Sequence, residues 1–555
     1  MENKSKNSKI IYTHAIFLLL LIIFPLISIF LKAIIVDGRL SFSIISETFS
    51  NVGNILIIKN SLILSTLVVI TTTIISVPLA FLFSRTEFNK YHFFDIIFMI
   101  PFMTPPYIAS MGWILFMQKN GLLQQLIPSS KGSESLFFSI GGLTFVMSLH
   151  VFPFMLSMLK NAMINFPNNL DEAGAVFGGG FFLRLKKIFF PLMLGNYAIS
   201  TLLVFVKTIS EYGTPSTLGR RIGFDVFTTE IHRQATVAPI NFGKSAVLSS
   251  LLIGICLVMW MIQNYITNKK SYNLVGLKGA KTTSIKMSVP AKIMAWMYIA
   301  LILVVAIGIP YFSIISTSLI KLRGFGFAEG NFTLNHYIEL FTENQRALMA
   351  FKNSFILAIS ASTICAILGT VTVLAARKSK GILKKFIQIT GLLPEMLPSI
   401  VLVLGVMLFW NRIYNILPLY NTMGILVLAY VILFLPYTVQ YVTSAFTQIG
   451  TTLTDAGRVF GANQMYIFFR IILPLIKNAI VTGWMMTFII SIRELVTASL
   501  IAPPNTLVIS TFIVREFEQG SVSIGMAMAV ICVLFTTTSL LILNYVLDKQ
   551  RNRDG

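Results

Sequence analysis

The sequence predicts an all-α integral membrane protein, with twelve transmembrane helices arranged as two parallel six-helix repeats. Three observations carry this prediction. Of 555 residues, 55% are hydrophobic and only 12% charged, and apolar runs long enough to cross a bilayer recur along the chain. One nine-residue pattern occurs twice, first at Leu170 and again at Leu453. Basic residues gather in loops that fall on one side once the spans are threaded in order.

The spans follow from the apolar runs. They cover 10–36, 60–84, 95–118, 137–164, 192–212 and 243–267 in the first half. In the second they cover 289–316, 353–376, 386–410, 423–447, 475–496 and 523–547. The run 10–36 is too long for a signal-peptide core and is closed by no small-x-small cleavage site, so it reads as a retained first span. With the N-terminus inside, the loops at 85–94, 165–191, 268–288, 377–385 and 448–474 and the C-terminus are cytoplasmic. Those segments carry nearly twice as many Lys and Arg as the external ones. The net charge of +22 is therefore read as a positive-inside bias and not as a nucleic-acid surface. Cys256, Cys365 and Cys532 lie inside apolar runs at no ligand spacing, so neither a disulfide framework nor a metal site is indicated.

The halves divide as 1–267 and 289–555, joined by a polar, basic linker at 268–288. Within the linker, Gly276-Leu277-Lys278-Gly279-Ala280-Lys281-Thr282-Thr283 fails the spacing of a phosphate-binding loop, and no strand precedes it.

The repeated pattern is Leu170-Asp171-Glu172-Ala173-Gly174-Ala175-Val176-Phe177-Gly178, followed by Ile188-Phe189-Phe190-Pro191. Its second copy is Leu453-Thr454-Asp455-Ala456-Gly457-Arg458-Val459-Phe460-Gly461, followed by Ile471-Ile472-Leu473-Pro474. Each suggests a short helix across the cytoplasmic face. Ala173, Gly174, Ala456 and Gly457 would let it lie close in a groove of a partner. Gly178 and Gly461 would turn the chain sharply after it. Glu172 and Asp455 would complement the helix dipole, and Pro191 and Pro474 would open the next span. The repeat extends further. Lys59-Asn60-Ser61 matches Lys352-Asn353-Ser354, and Ile100-Pro101 through Pro105 matches Leu393-Pro394 through Pro398. Phe152-Pro153 matches Leu435-Pro436, and Glu211 matches Glu494.

Ionisable residues inside spans are costly and by default face a cavity or the bundle interior. Glu211, Glu494, Arg493 and Glu395 are therefore candidate pathway residues, with interfacial salt bridges as the alternative reading. Lys207, one turn before Glu211, could pair with it. Prolines 101, 105, 106, 394 and 398 are expected to break helices where backbone can line a cavity. His14, His92, His150, His232 and His336 stand at no metal-ligand spacing.

The acidic-small-small pattern with a Gly four positions after the first small pair and Ile-x-x-Pro beyond resembles the "EAA" loop of ABC-importer permeases. Over essentially the whole chain, the sequence is similar to the fused two-domain permeases of the ferric-iron importer type. These share the methionine-permease (MetI-like) fold. The strings carrying the likeness include Pro105-Pro106-Tyr107 through Trp113, Ser210-Glu211-Tyr212-Gly213-Thr214-Pro215, and Ile492-Arg493-Glu494-Leu495 through Pro503-Pro504.

The resemblance implies a non-catalytic permease subunit in a bacterial inner membrane, with both termini cytoplasmic. The loops 165–191 and 448–474 would couple it to two copies of a separate ABC ATPase, and a binding protein outside the membrane would deliver substrate. ATP would be used by the partner, with no cofactor held by this chain and no nucleic acid involved. Ferric iron is the implied substrate. Phosphonate, sugar-phosphate, thiamine and polyamine permeases share the framework. The rival of another class is a secondary transporter, which would need no paired loops and would usually show inverted repeats.

Overall fold

The computed structural model describes residues 2–36, 38–166, 173–269, 285–448 and 452–554. Most of the linker, 270–284, lies outside the described residues. Among the described residues, ten helices are long and apolar enough to cross a membrane, and two further helix pairs qualify together but are bent. Counting each bent pair as one span gives the twelve expected. The bent pairs are Phe93–Met103 with Pro106–Leu126, at 86°, and Gly381–Met396 with Ser399–Arg412, at 114°. Both breaks fall at Pro105 or Pro398, equivalent positions of the repeat. Pro101 instead sits inside a helix.

Four other prolines are carried through without a break. The segments Leu19–Ile23, Leu185–Phe189, Val304–Gly308 and Ile467–Ile472 are π-helical turns. Each is followed two residues on by a proline: Pro25, Pro191, Pro310 and Pro474. A proline in a helix interior lacks an N–H and clashes with the carbonyl four residues back, at a cost of about 3 kcal/mol. A wider turn moves that carbonyl away and leaves no missing partner. This corrects the reading of Pro191 and Pro474 as span openers: the spans Leu185–Ile209 and Ile467–Ile492 start before them.

The chain forms two compact units that each draw on both sequence halves. One unit holds Asn51–Glu230 and Gly254–Thr333, the other Met1–Ser50, Ile231–Ile253 and Leu334–Gly555. In the unit built on the first half, Val52–Arg85, Ile140–Ile164 and Leu185–Ile209 pack together. Ser76 donates to the Phe152 carbonyl at 3.1 Å, and the Thr73 and Tyr197 hydroxyls meet at 3.2 Å. The span Val289–Leu319 packs on Pro106–Met117. Tyr298 donates to the Ile75 carbonyl at 3.0 Å, and Lys292 pairs with Glu87 at 2.9 Å. The Lys292 hydrogen bond holds the Glu87 carboxyl below its ordinary range.

The other unit repeats the plan. Gln345–Lys378, Met423–Gln448 and Leu473–Ile492 pack as a triad, and Phe24–Ile34 packs on Ser399–Arg412. Thus, in each unit, the first span comes from the other sequence half. Hydropathy identifies that span as a helix but does not say which third-span helix it covers.

Candidate functional site

The paired loops have the same geometry. Residues 167–172 lie outside the described residues, and with them Glu172. Asp455 falls in the helix Thr452–Val459, but its side chain is outside the described set. Residues 173–176 are helical. Gly178 and Gly461 both take φ 78°, in the left-handed region. The amide after each reaches back over the turn: Gly179 donates to the Gly174 carbonyl at 2.9 Å, Ala462 to that of Gly457 at 3.0 Å. This is a Schellman-type stop, in which the left-handed position strongly favours glycine. The expected sharp turn is present in both copies.

Gly174 and Gly457 each make a close contact within their own chain. A β-carbon on Gly174 would lie 2.6 Å from Ile188 Cδ1, and one on Gly457 3.0 Å from Ile471 Cδ1. The small residues let each loop helix press on the isoleucine that opens its own Ile-x-x-Pro string. What faces outward is apolar: Val176 is 85% and Phe177 89% exposed, Val459 84% and Phe460 89%. Sequence reasoning missed these four residues because Val-Phe reads as core. Their identical placement before Gly178 and Gly461 was the available signal. In the first copy, the buried Arg85 guanidinium lies 4.6 Å from the Phe166 ring centroid and 5.6 Å from that of Phe189. It ties both flanks of the loop to the end of Val52–Arg85.

Glu211 and Glu494 follow the ends of matching helices and have matching partners. The Thr214 amide donates to both carboxylate oxygens of Glu211 at 3.1 Å, and the Thr497 amide donates to Glu494 Oε2 at 2.9 Å. Thr228 donates to the Glu211 carbonyl at 2.7 Å, and Ser510 to the Glu494 carbonyl at 2.5 Å. Each carboxylate thus caps the short helical segment after the break. The next segment is pinned by the Lys-Asn-Ser strings. Asn60 donates to the Asp225 carbonyl at 3.2 Å and Asn353 to that of Leu507 at 2.9 Å. Ser61 accepts from the Phe227 amide, and Ser354 from that of Ile509, both at 2.8 Å. The Lys207 ammonium lies over Phe154 at 4.8 Å and Phe102 at 5.6 Å, while Glu211 takes backbone donors.

The two halves differ at the broken span. Glu395 stands on the tight turn Leu393–Met396, is exposed, and accepts from Gln440. Glu395 and Arg493 both lie within electrostatic reach of Tyr437. An exposed carboxylate within a span is costly against lipid and is tolerated against a wet cavity. The first half has Phe102 at the position of Glu395. His150 donates through Nδ1 to the Pro101 carbonyl at 2.9 Å. Among the described residues, no group of three or more His, Cys, Asp or Glu could hold a metal ion.

A family profile described as "Binding-protein-dependent transport system inner membrane component" matches residues 75–272 and 368–553. One match falls in each sequence half, and together they cover more than half the chain. The chain is 21% identical over 509 residues to the ferric transport system permease protein FbpB of Actinobacillus pleuropneumoniae, covering 89% of this chain and 72% of that protein. To the Fe(3+)-transport system permease protein FbpB 2 of Haemophilus influenzae it is 22% identical, covering 84% of each. The spermidine/putrescine transport system permease protein PotC of Haemophilus influenzae is 26% identical over 250 residues, covering 44% of this chain and 92% of that protein.

Proposed function

Because the chain belongs to the family of inner membrane components of binding-protein-dependent transport systems, we propose that it is the fused permease subunit of an ATP-binding-cassette importer for ferric iron. It would take iron from an extracytoplasmic binding protein and release it into the cytoplasm, driven by two copies of a separate ATPase. The chain itself would catalyse no reaction. Both termini would lie in the cytoplasm, on the side of the paired loops.

The observation that carries this reading is the outward-facing Val-Phe pair at the stop of each loop helix. Burying such a side chain contributes about 1.5–3 kcal/mol, so two pairs suit two sockets on a soluble partner. The loop helix also bears on Ile188 or Ile471, within the wide turn at the base of a span. A push on the helix would therefore reach the span directly. Ferric iron is favoured over a polyamine because the ferric-type relatives align across both halves, whereas the PotC likeness covers less than half of the chain. Co-expression with the cognate ATPase and binding protein, followed by uptake of radiolabelled ferric iron and putrescine into vesicles, tests it. ATP-dependent iron uptake is expected; putrescine uptake in its place would move the substrate assignment.

A further inference from the structure

The unit built on the first half has a cationic cleft at the end opposite its coupling loop. Val289–Leu319 starts beside Glu87, near the loop, and ends at Leu319. The chain beyond Leu319 and the chain beyond Met117 enclose two cavities of about 270 and 550 Å³ that share Asn120, Gln125, Arg323 and Gly324. Lys119 lines the smaller cavity, Lys131 the larger, and Arg323 both; neither is lined by an Asp or Glu.

The walls are fixed by their own hydrogen bonds. Asn120 takes φ 56°. Its amide donates to Gln124 Oε1 at 2.9 Å, and Gln125 donates to its carbonyl at 3.0 Å. Gln124 donates to Glu134 at 2.7 Å, so this carboxylate is engaged by the wall itself. Across the cleft, buried Asn331 accepts from the Leu322 amide at 2.9 Å and donates to the carbonyls of Leu322 and Gly326 at 2.8 Å. The segment carrying Arg323 is therefore stapled on both sides.

We propose that this cleft is an extracytoplasmic site for a small oxyanion, a phosphate or a small polycarboxylate. Each cavity carries two cations, Arg323 with Lys119 in the smaller and with Lys131 in the larger; like charges repel each other, and an anion offsets that cost. The larger volume, about 550 Å³, is that of a small-molecule site. Arg323 can bind two oxygens at once, with Lys119 and Lys131 as point charges and the amide side chains as further donors. The placement also runs against the positive-inside bias, which leaves external loops poor in Lys and Arg. The site goes beyond iron import, since a metal cation has no ligand set here.

The test uses the full chain with its ATPase in lipid nanodiscs, titrated calorimetrically with sodium phosphate and with sodium citrate at low salt, chloride serving as control. Saturable binding of either anion is expected; phosphate alone would identify a compact inorganic ligand and citrate alone a polycarboxylate. Binding should weaken at least about tenfold in Lys119→Gln/Arg323→Gln and be unchanged in Lys352→Gln. Lys131→Gln provides a milder second variant, and basal ATP hydrolysis reports folding. No saturable binding of either anion, or equal binding in all variants, would overturn the proposal.

Discussion

A β-carbon on Gly112 would lie 2.7 Å from the carbonyl oxygen of Pro310, so the span from the second half can sit on the first half's broken span only because that residue is glycine. In the other unit Gly405 and Pro25 repeat the contact at the same 2.7 Å. Gly112→Ala and Gly405→Ala should each destabilise the protein by about 1–3 kcal/mol, the cost of overpacking. Thermal unfolding in detergent reads this out. Unchanged melting in both variants would mean that the exchanged spans are not held there.

At the loop stops, Gly178→Glu and Gly461→Glu should abolish transport while leaving the protein in the membrane. Nothing lies within 4 Å of a β-carbon at either position. The damage would therefore come from left-handed strain, about 1–2 kcal/mol per residue, and from a charge set beside the apolar pair. Wild-type uptake in both would show that the stops do not govern coupling.

Capping predicts an order of severity at the two carboxylates. Glu211→Gln and Glu494→Gln keep one carbonyl acceptor and should retain most stability. Glu211→Ala and Glu494→Ala should each cost about 0.5–2 kcal/mol. If the Gln variants unfold no more readily than wild type yet lose iron uptake with ATP hydrolysis intact, charge and not capping is the function of the pair.

Orientation is tested at the start of the seventh span. Cysteine at Ser288, in a background without Cys256, Cys365 and Cys532, should resist an impermeant maleimide in intact cells and react after permeabilisation. Labelling from outside would invert the threading.

The class, the duplication, the paired loops and the proline breaks were legible because each is a local pattern repeated at fixed spacing. Lys59-Asn60-Ser61 and Lys352-Asn353-Ser354 showed that something was repeated but not what, since their partners Asp225, Phe227, Leu507 and Ile509 are more than 150 positions away. The exchange of first spans was not legible either: two apolar helices of similar length fit either groove by hydropathy, and a glycine facing a proline decides. Pro191 and Pro474 misled because proline usually marks a helix start, whereas a widened turn lets a helix run through it. Val176, Phe177, Val459 and Phe460 looked like core because apolar residues usually are; their exposure follows from the glycine that stops the helix beneath them.

The outward Val-Phe pairs bear most directly on the central claim. The decisive measurement is ATP-driven uptake of ferric iron into proteoliposomes holding this chain, its ATPase and its binding protein, with Val176→Ser/Phe177→Ser and Val459→Ser/Phe460→Ser beside wild type. The account predicts uptake by wild type, and loss of both uptake and ATPase copurification when the four substitutions are combined in a protein that still melts normally. Undiminished ATP-driven uptake and intact ATPase binding in that combined variant would contradict it.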